Sequence, residues 1–415
     1  MTDGVASRRV PVSAVQRDRI ALALVVFVVL FGQVLLYPGI TDLVKALGAG
    51  GTGGASEGAL NASALFLGAE FVGFVLCAGL WGHLSDRTGR RTPFVVAGAL
   101  GGAAGYLLLA ALGHGGDLPF GVYLVVRFLQ GSLTIGAFSL AMTMLMDLEG
   151  GHGKNMGAAG IAIGSGTALG APIGGQLYEQ GVLLPLVVAG AVLLLAAVLA
   201  TRVADRAPSG DTMGLADAVG RLRETPALAF PYAFGFMDRL TAGFFALVGT
   251  VYFRETFGLD AGSAGLVLGL FFAPFALLQY PMGVLSDRVG RKLPVVLGSV
   301  CYGAVVVGVY VAPTLPLAAA AMVLLGVTGA FVSPATMALV TDLAREDERG
   351  VAMGGFNVFG NLGFLGGFVV GSVVANAAGY GAAFLTAGLL EGGVVALALP
   401  AFLRLDLTSS SPKPE

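Results

Sequence analysis

The stretches GHLSDRTGRR (residues 82–91) and GVLSDRVGRK (residues 283–292) are two copies of nearly the same pattern, about two hundred residues apart. They stand out because only 12% of the residues in this chain are charged. Each copy has two glycines, one aspartate and three basic residues at the same spacing. These are Gly82, Asp86, Arg87, Gly89, Arg90 and Arg91 in the first copy, and Gly283, Asp287, Arg288, Gly290, Arg291 and Lys292 in the second. The repetition predicts that the two halves of the chain are related by internal duplication.

The composition around these decapeptides is that of a membrane protein. Of the 415 residues, 56% are hydrophobic, and the mean hydropathy is +0.85, which exceeds what a soluble core hides. The net charge of −2 gives no reason to expect a nucleic-acid partner. Cys77 and Cys301 lie in apolar runs and are interpreted as core thiols, and the three histidines form no metal-ligand cluster. We therefore expect no metal and no cofactor.

Twelve apolar runs are long enough to cross a bilayer, which takes ~17–25 residues as a helix. They lie near residues 20–40, 61–83, 92–113, 118–146, 155–178, 181–201, 226–252, 263–284, 293–312, 315–340, 350–377 and 380–403. The runs are continuous and lack period-two alternation, which predicts helices and not strands. The glycine-rich stretches GALGGAAG (98–105) and GNLGFLGG (360–367) are expected to let neighbouring helices approach closely. The predicted fold is an all-α membrane protein with twelve transmembrane helices.

The positive charges predict the orientation of these helices. If the N-terminus is cytoplasmic, all but four of the 23 lysines and arginines fall on the cytoplasmic side. The exceptions are Lys45 and Arg254 outside, and Arg127 and Arg239 within apolar runs. We expect a multi-pass protein of the plasma membrane with both termini in the cytoplasm. A polar linker, 202–225, divides the chain into an N-terminal six-helix bundle, 1–201, and a C-terminal one, 226–415.

The decapeptide resembles motif A of the major facilitator superfamily, G-x-L-S-D-R-x-G-R-[R/K] between the second and third helices. The resemblance extends over essentially the whole chain, through the helix count and the division into six and six. It implies a transporter of the alternating-access type, whose two decapeptides act as a conformational switch. Asp147 and Asp342, at the ends of the fourth and tenth runs, are expected to join this switch. Its charged groups are expected to bond to helix ends of the other half. The plainer alternative, anchoring by positive charge alone, does not explain the aspartates or the glycine spacing.

Two further stretches resemble motifs of proton-coupled family members. RFLQGSLTIGA (127–137) resembles motif B, R-x-x-Q-G. The fifth run resembles motif C of the drug:proton antiporters in Gly166, Gly170, Pro172, Gly174 and Gly175. It departs from that motif because Pro172 stands one residue late and Ala171 occupies the usual proline position. The alternative for the fifth run is ordinary packing of small residues.

Charged residues inside the apolar runs are the main candidates for coupling, because such charges are costly in lipid. Glu70 and Arg127 lie at similar depths in the second and fourth runs, so we predict that they pair. Their pairing has two interpretations, a structural ion pair or a coupling role. Asp238 and Arg239 lie near the middle of the seventh run and point ~100° apart, so they are not expected to pair with each other. Asp238 is a candidate to carry a proton or to bind a cationic substrate.

Four other residues in the runs have weaker assignments. Glu391, in the middle of the last run, is interpreted as a packed hydrogen-bonding group. Gln33, Tyr37 and Tyr232 are candidate cavity-lining groups, with helix packing as the alternative.

The function predicted from these features is proton-coupled export of small amphipathic or drug-like molecules by a monomer in the lipid bilayer. No G-x-x-x-x-G-K-[S/T] loop occurs, which disfavours drive by ATP. The alternatives are an uptake symporter or facilitator for a small organic solute, and a non-transporting membrane sensor with the same fold. No nucleophile–base set occurs, so an enzyme is not expected.

Overall fold

The structure, a computed structural model, describes residues 12–49, 55–116, 118–149, 152–205, 220, 222–345 and 348–404, and these contain helices but no strand. The helices of the first half are α1 Val12–Val34, α2 Ile40–Ala46, α3 Ala55–Thr88, α4 Thr92–Gly115, α5 Phe120–Met146, α6 His152–Gln180 and α7 Leu184–Ala200. Those of the second half are α8 Ala229–Phe244, α9 Thr250–Phe257, α10 Ala261–Val289, α11 Lys292–Val311, α12 Leu315–Leu343 and α13 Arg349–Arg404. A π-helical turn, Phe245–Gly249, joins α8 to α9.

The helices agree with the predicted all-α membrane fold. Among the described residues, eight helices are long and apolar enough to cross a membrane. One of them, α13, has 56 residues and is broken at Gly379, whose φ of +83° is not helical. It therefore supplies two crossings. The helices α1 and α6 begin with a polar turn and α7 has only 17 residues, so these three fall outside that count. The arrangement is consistent with twelve spans.

The predicted helix boundaries are wrong in two places. The first run does not continue to residue 40, because α1 ends at Val34 and the short α2 begins after a turn at Pro38 and Gly39. Proline lacks the backbone donor that a continuing helix needs. The second and eighth runs extend beyond residues 83 and 284, because α3 and α10 include most of each charged decapeptide as their final turns. Most of the predicted linker, 202–225, lies outside the described residues.

Glycines bring neighbouring helices into close contact, as the glycine-rich stretches predicted. A Cβ atom added at Gly98 of α4 would lie 2.5 Å from the backbone nitrogen of Ala137 in α5. One added at Gly105 would lie 2.5 Å from Cβ of Gln130. In the other stretch, Gly363 of α13 packs directly on the backbone of α8. Larger residues at these positions would force the helices apart.

The two halves meet along two helix pairs, α6 with α10 and α3 with α13. Both decapeptides lie at the same end of the molecule, after α3 and after α10. This end is called the decapeptide end, and the opposite one the distal end. The helix α6 begins at the decapeptide end and α10 ends there, so both helices extend from one end of the protein to the other. The positions at which α6 and α10 are in contact therefore show where the two halves touch.

Candidate functional site

A buried ion pair joins α3 to α5 in the first half. Nη2 of Arg127 lies 2.5 Å from Oε2 of Glu70, and both side chains are fully buried. Nη1 of Arg127 donates to Oε1 of Gln130 at 2.7 Å. The guanidinium carbon also lies 5.1 Å from the ring centroids of Phe66 and Tyr106, within the range of cation–π attraction. The contact predicted from the depths of Glu70 and Arg127 is present, and its coupling role stays a prediction.

A glycine next to this pair explains why the two helices come so close. A Cβ atom added at Gly131 of α5 would lie 2.5 Å from the Glu70 carbonyl oxygen. The backbones are therefore in direct contact at the level of the acid. The glycine of the motif B-like stretch thus allows Arg127, one turn away, to reach Glu70.

Further polar groups surround the Glu70 carboxylate. The amide of Gln33 in α1 and the hydroxyl of Tyr106 in α4 each lie 3.4 Å from a carboxylate oxygen. The amide of Gln130 donates to the Thr134 hydroxyl at 2.8 Å. Side chains from α1, α3, α4 and α5 therefore meet in one polar network, which contains the acidic residue Glu70 and the basic residue Arg127. Tyr106 was not predicted, because nothing in its local pattern distinguishes it from a packing residue.

A second buried polar cluster lies in the other half. Asp238 of α8 is 4% exposed and Glu391 of α13 is 1% exposed. The hydroxyl of Thr241, one turn from Asp238 on the same helix, donates to Oε1 of Glu391 at 3.1 Å. Ser333 of α12 lies beside the Asp238 carboxylate. The hydrogen bond expected for Glu391 is therefore present, and it joins Glu391 to the surroundings of Asp238.

The adjacent residues Asp238 and Arg239 diverge, as their helical spacing predicted. No ion pair between them occurs among the contacts of the described residues. Arg239 is only partly buried, and its side chain runs past Gly360 of α13, where an added Cβ atom would lie 3.4 Å away.

Two of the three candidate cavity-lining groups have packing partners. The Tyr232 hydroxyl donates to the Ala352 carbonyl at 2.7 Å and its ring stacks on Phe359. These contacts place Tyr232 in the packing between α8 and α13, and its cavity-lining role stays a prediction. Tyr37, in the turn after α1, is buried with its ring edge-on to Phe368 of the other half.

The first decapeptide forms an ion cluster within its own half. Nη1 of Arg91 lies 2.5 Å from Oδ2 of Asp147, at the end of α5, and Nη2 lies 4.0 Å from Oδ1 of Asp86. Asp205, which follows α7, accepts hydrogen bonds from the backbone N–H groups of Arg91 at 2.9 Å and Thr92 at 3.3 Å. It thereby caps the start of α4. The expected bonds to helix ends of the other half are not among the described contacts, because the halves are separated at this end.

The second decapeptide repeats the arrangement. Arg291 forms an ion pair with Asp287 and one with Asp342, the latter at 3.0 Å from Nε to Oδ2, and donates to Ser286 at 2.7 Å. Partial burial lowers the pKa of Arg291, but the bonds to Asp342 and Asp287 outweigh burial and raise the pKa above its ordinary value.

The remaining decapeptide residues serve the turn or face outward. Gly89 and Gly290 end their helices with φ of +65° and +84°, a conformation that residues with a Cβ atom rarely adopt. Arg87, Arg90 and Arg288 are exposed, whereas Gly82 is buried and Gly283 is partly buried.

The motif C-like stretch of α6 packs in two directions. Gly166, Gly170 and Gly174 face α1 and its following turn in the same half. Gly175 and Pro172 face α10 across the halves: an added Cβ atom at Gly175 would lie 2.5 Å from the Ala261 carbonyl oxygen, and Pro172 fills the space beside Gly269. The contact between α6 and α10 continues to Gly164, where an added Cβ atom would lie 2.5 Å from Cβ of Ala276.

Toward the distal end, polar and aromatic contacts join the halves. Arg254 of α9 lies 2.7 Å from Asp42 of α2. The backbone N–H of Gly262 donates to Glu179 at 3.2 Å. Closer to the middle, the ring of Phe71 in α3 stacks on Phe364 in α13 with centroids 5.2 Å apart. A further hydrogen bond, 2.6 Å long, joins Asn376 to Asn61. None of these distal contacts was predicted from the sequence.

Toward the decapeptide end, the contact between α6 and α10 ends. An atom added at Gly157 or Gly160 of α6 would meet nothing within 4 Å. Tyr280, one turn beyond Ala276 on α10, is 80% exposed. The halves therefore touch from the middle to the distal end and separate at the decapeptide end.

Within the part of the chain that the structure describes, no group of three or more histidine, cysteine, aspartate or glutamate residues could hold a metal ion.

Comparisons with known proteins agree with this architecture. A family model described as Major Facilitator Superfamily matches residues 22–237 and 232–415. An uncharacterized MFS-type transporter of Methanocaldococcus jannaschii is 30% identical over 171 residues, which are 41% of this chain and 43% of that relative, so the match spans less than half of its length.

Solved structures resemble nearly the whole chain. The human organic anion transporter MFSD10 (TETRAN) has a TM-score of 0.71 at 20% identity and covers 94% of this chain and 100% of its own. A bacterial homolog of the human lysosomal transporter Spinster, solved inward-facing and unoccupied, has a TM-score of 0.77 at 13% identity and covers 97% and 99%. At these identities the likeness shows the fold.

Proposed function

The chain belongs to the major facilitator superfamily of membrane transporters, and from this premise we propose that it is a secondary active transporter that works by alternating access. One observation carries the proposal: α6 and α10 are in contact from Gly164 to Gly175 and apart at Gly157 and Gly160. Rocking one half against the other would close the decapeptide end, which is open here, and open the distal end, which is closed here. Both halves, each with its buried polar cluster, lie on a single chain, which supports a monomer as the proposed working unit.

The orientation of this conformation follows from the positive charges. Most lysines and arginines lie at the decapeptide end, which the positive-inside rule assigns to the cytoplasm. The conformation is then open to the cytoplasm, with both termini on that side of the plasma membrane. The first-half switch would close that side by bringing Asp86 and Arg91 against helix ends of the second half.

Proton-coupled export of small amphipathic or drug-like molecules is the specific activity that we propose. The buried acids Glu70 and Asp238 support coupling, because acids inside a membrane are typical of proton relays. The motif C-like stretch supports export, since Pro172 and Gly175 lie where the two halves meet. Members of this family bind small-molecule substrates within the membrane, and Arg239, partly exposed near the middle of α8, is a candidate contact for them.

Flux measurements in proteoliposomes test this proposal. A pH gradient is imposed and a panel of amphipathic cations, anions and neutral solutes is offered; at least one solute should accumulate against its own gradient. Collapsing the pH gradient with a proton ionophore should abolish that accumulation. Accumulation in the direction of proton flow would indicate a symporter instead. Downhill flux that ignores the pH gradient would indicate a facilitator, and binding without flux would indicate a sensor.

A further inference from the structure

The two halves differ in how their buried acids are neutralised. In the first half, Glu70 has a full ionic partner in Arg127, 2.5 Å away. In the second half, two buried carboxylates, Asp238 and Glu391, lie near each other, and only Asp238 has a neighbouring guanidinium, that of Arg239. With both acids charged, this cluster has one negative charge in excess. A buried charge without a counter-charge is strongly unfavourable.

The two carboxylates belong to one cluster. Asp238 and Thr241 lie one turn apart on the same face of α8, and Thr241 donates to Glu391 at 3.1 Å. Tyr302 of α11 lies near both acids. Ser333 of α12 lies beside Asp238. The charged and titratable groups around Asp238 are thus Arg239 on its own helix, Tyr302 on α11 and Glu391 on α13.

Two hydroxyl groups in this cluster lack the partners that buried hydroxyls usually have. Oη of Tyr302 and Oγ of Ser299 form no hydrogen bond with any described residue, although the two residues are 0% and 1% exposed. They are three residues apart on α11 and therefore lie on one side of that helix. A buried hydroxyl without a hydrogen-bond partner is unfavourable. The Tyr302 oxygen, near both acids, and the carboxylates thus offer a donor set made only of oxygen, and Ser299 lies one turn away on the same side of α11.

We propose that Asp238 and Glu391 jointly bind one monovalent cation, a proton or Na+, and that this cation is the coupling ion. One added positive charge, together with Arg239 next to Asp238, balances the charges of the two carboxylates. Two neighbouring carboxylates readily share one proton, and an all-oxygen donor set with hydroxyls suits a hard cation such as Na+. The coupling role rests on the proposed function, whereas the binding itself does not. Of the two buried acids that support coupling, the carrier role then falls to Asp238, and Glu70, already neutralised by Arg127, keeps a structural role.

Cation binding can be measured on the full-length protein in lipid nanodiscs, without any substrate. In the Na+ arm, thermal unfolding is followed while Na+ replaces N-methylglucamine at constant ionic strength. In the proton arm, infrared spectroscopy follows the protonated-carboxyl band across neutral pH. We expect a saturable rise of the unfolding midpoint with Na+, or a protonated-carboxyl band whose intensity changes with pH. Either signal should be lost in Asp238→Asn and also in Glu391→Gln.

Milder variants guard against misfolding. Tyr302→Phe and Ser299→Ala each remove one hydroxyl, and each should weaken cation binding roughly tenfold while the protein folds normally. Ser139→Ala is the matched control, because Ser139 in α5 also has a buried unpartnered hydroxyl but lies in the other half. It should leave cation binding unchanged. Glu255→Gln, which removes an exposed acid, should do the same.

The outcomes separate this site from the proposed function. Absence of both signals, or a signal that persists in the Asp238→Asn/Glu391→Gln double variant, overturns the site. If that double variant still transports substrate in response to a pH gradient, the transporter proposal stands without this site. If the wild-type protein binds the cation but no gradient of that cation drives flux, the site stands and coupled transport falls.

Discussion

Arg91 shows how individual residues of the switch are held in the observed conformation. Its guanidinium is bound by Asp147 at 2.5 Å, while Asp86 is 4.0 Å away. The Asp205 carboxylate holds the backbone of this residue in place by accepting hydrogen bonds from the N–H groups of Arg91 and Thr92. Asp147, and not Asp86, is therefore the acid closest to the Arg91 guanidinium in this conformation, and Asp86 is expected to gain a bond to the second half when the decapeptide end closes.

Replacing Asp86 should change the balance between the two states. We expect Asp86→Asn to slow transport and to favour the observed open conformation, because the state closed at the decapeptide end loses a charge-assisted bond of about 1.5–3 kcal/mol between the halves. The measurement is initial flux together with the accessibility of a cysteine facing the open end. Asp287→Asn, the equivalent change in the second copy, is the control and should have a smaller effect. Normal flux in Asp86→Asn would leave this aspartate with an anchoring role only.

The sequence predicted contacts best where both partners lie on regular helices. The depths of Glu70 and Arg127 follow from a constant rise per residue, so their contact could be expected. The hydrogen bond of Asp205 to the Arg91 backbone could not be expected, because the two residues are 114 positions apart and Asp205 lies outside any periodic pattern. The same holds for Arg254 and Asp42, whose contact depends on how the two halves are placed, which no local pattern encodes.

The helix α6 is the element whose packing distinguishes the two ends of the protein. Its distal half is in close contact with α10, whereas its glycines near the decapeptide end have free space beside them. The repeat of small residues along α6 was predicted to permit close packing. Which of these glycines are packed at a given moment depends on the conformation, so the sequence alone could not assign it.

Valine substitutions at the two ends of α6 should shift the conformation in opposite directions. Gly175→Val places side-chain atoms against the Ala261 backbone of α10 and should destabilise the observed state by about 1–3 kcal/mol. Gly157→Val has room in this state and should disfavour the opposite one. Distances between spin labels at positions 88 and 289 should shorten in Gly175→Val and lengthen or stay unchanged in Gly157→Val. Shortening in both variants would contradict the rocking of α6 against α10.

At the scale of the whole molecule, the charges of both decapeptides support the proposed orientation in the membrane. The all-helical membrane fold could be predicted because lipid demands long apolar helices. The ends of α1 and α3 could not, since a proline–glycine turn and a charged final turn override the apolar pattern. The asymmetry of the positive charge remains the argument for orientation.

Cysteine labelling in intact cells tests that orientation. In a background without Cys77 and Cys301, single cysteines at Thr88 and Val289, both exposed at the decapeptide end, should resist an impermeant thiol reagent added outside. A cysteine at Thr256, exposed near the distal end, is the positive control and should react. The reverse pattern would invert the topology, and with it the assignment of the open end to the cytoplasm.

The π-helical turn at Phe245–Gly249 has a consequence for the rotational phase of the chain that follows it. Each residue of an α-helix advances the helix by ~100°, and a π turn accommodates one residue more than an α turn. The hydroxyl of Thr250 donates to the Phe245 carbonyl at 2.8 Å, which helps to satisfy the widened turn. Without the extra residue, Arg254 would be turned about a quarter of a circle away from Asp42. The direction in which the Arg254 side chain points is therefore determined by the π-helical turn about two turns earlier. The ion pair of Arg254 with Asp42 in the other half depends on that direction.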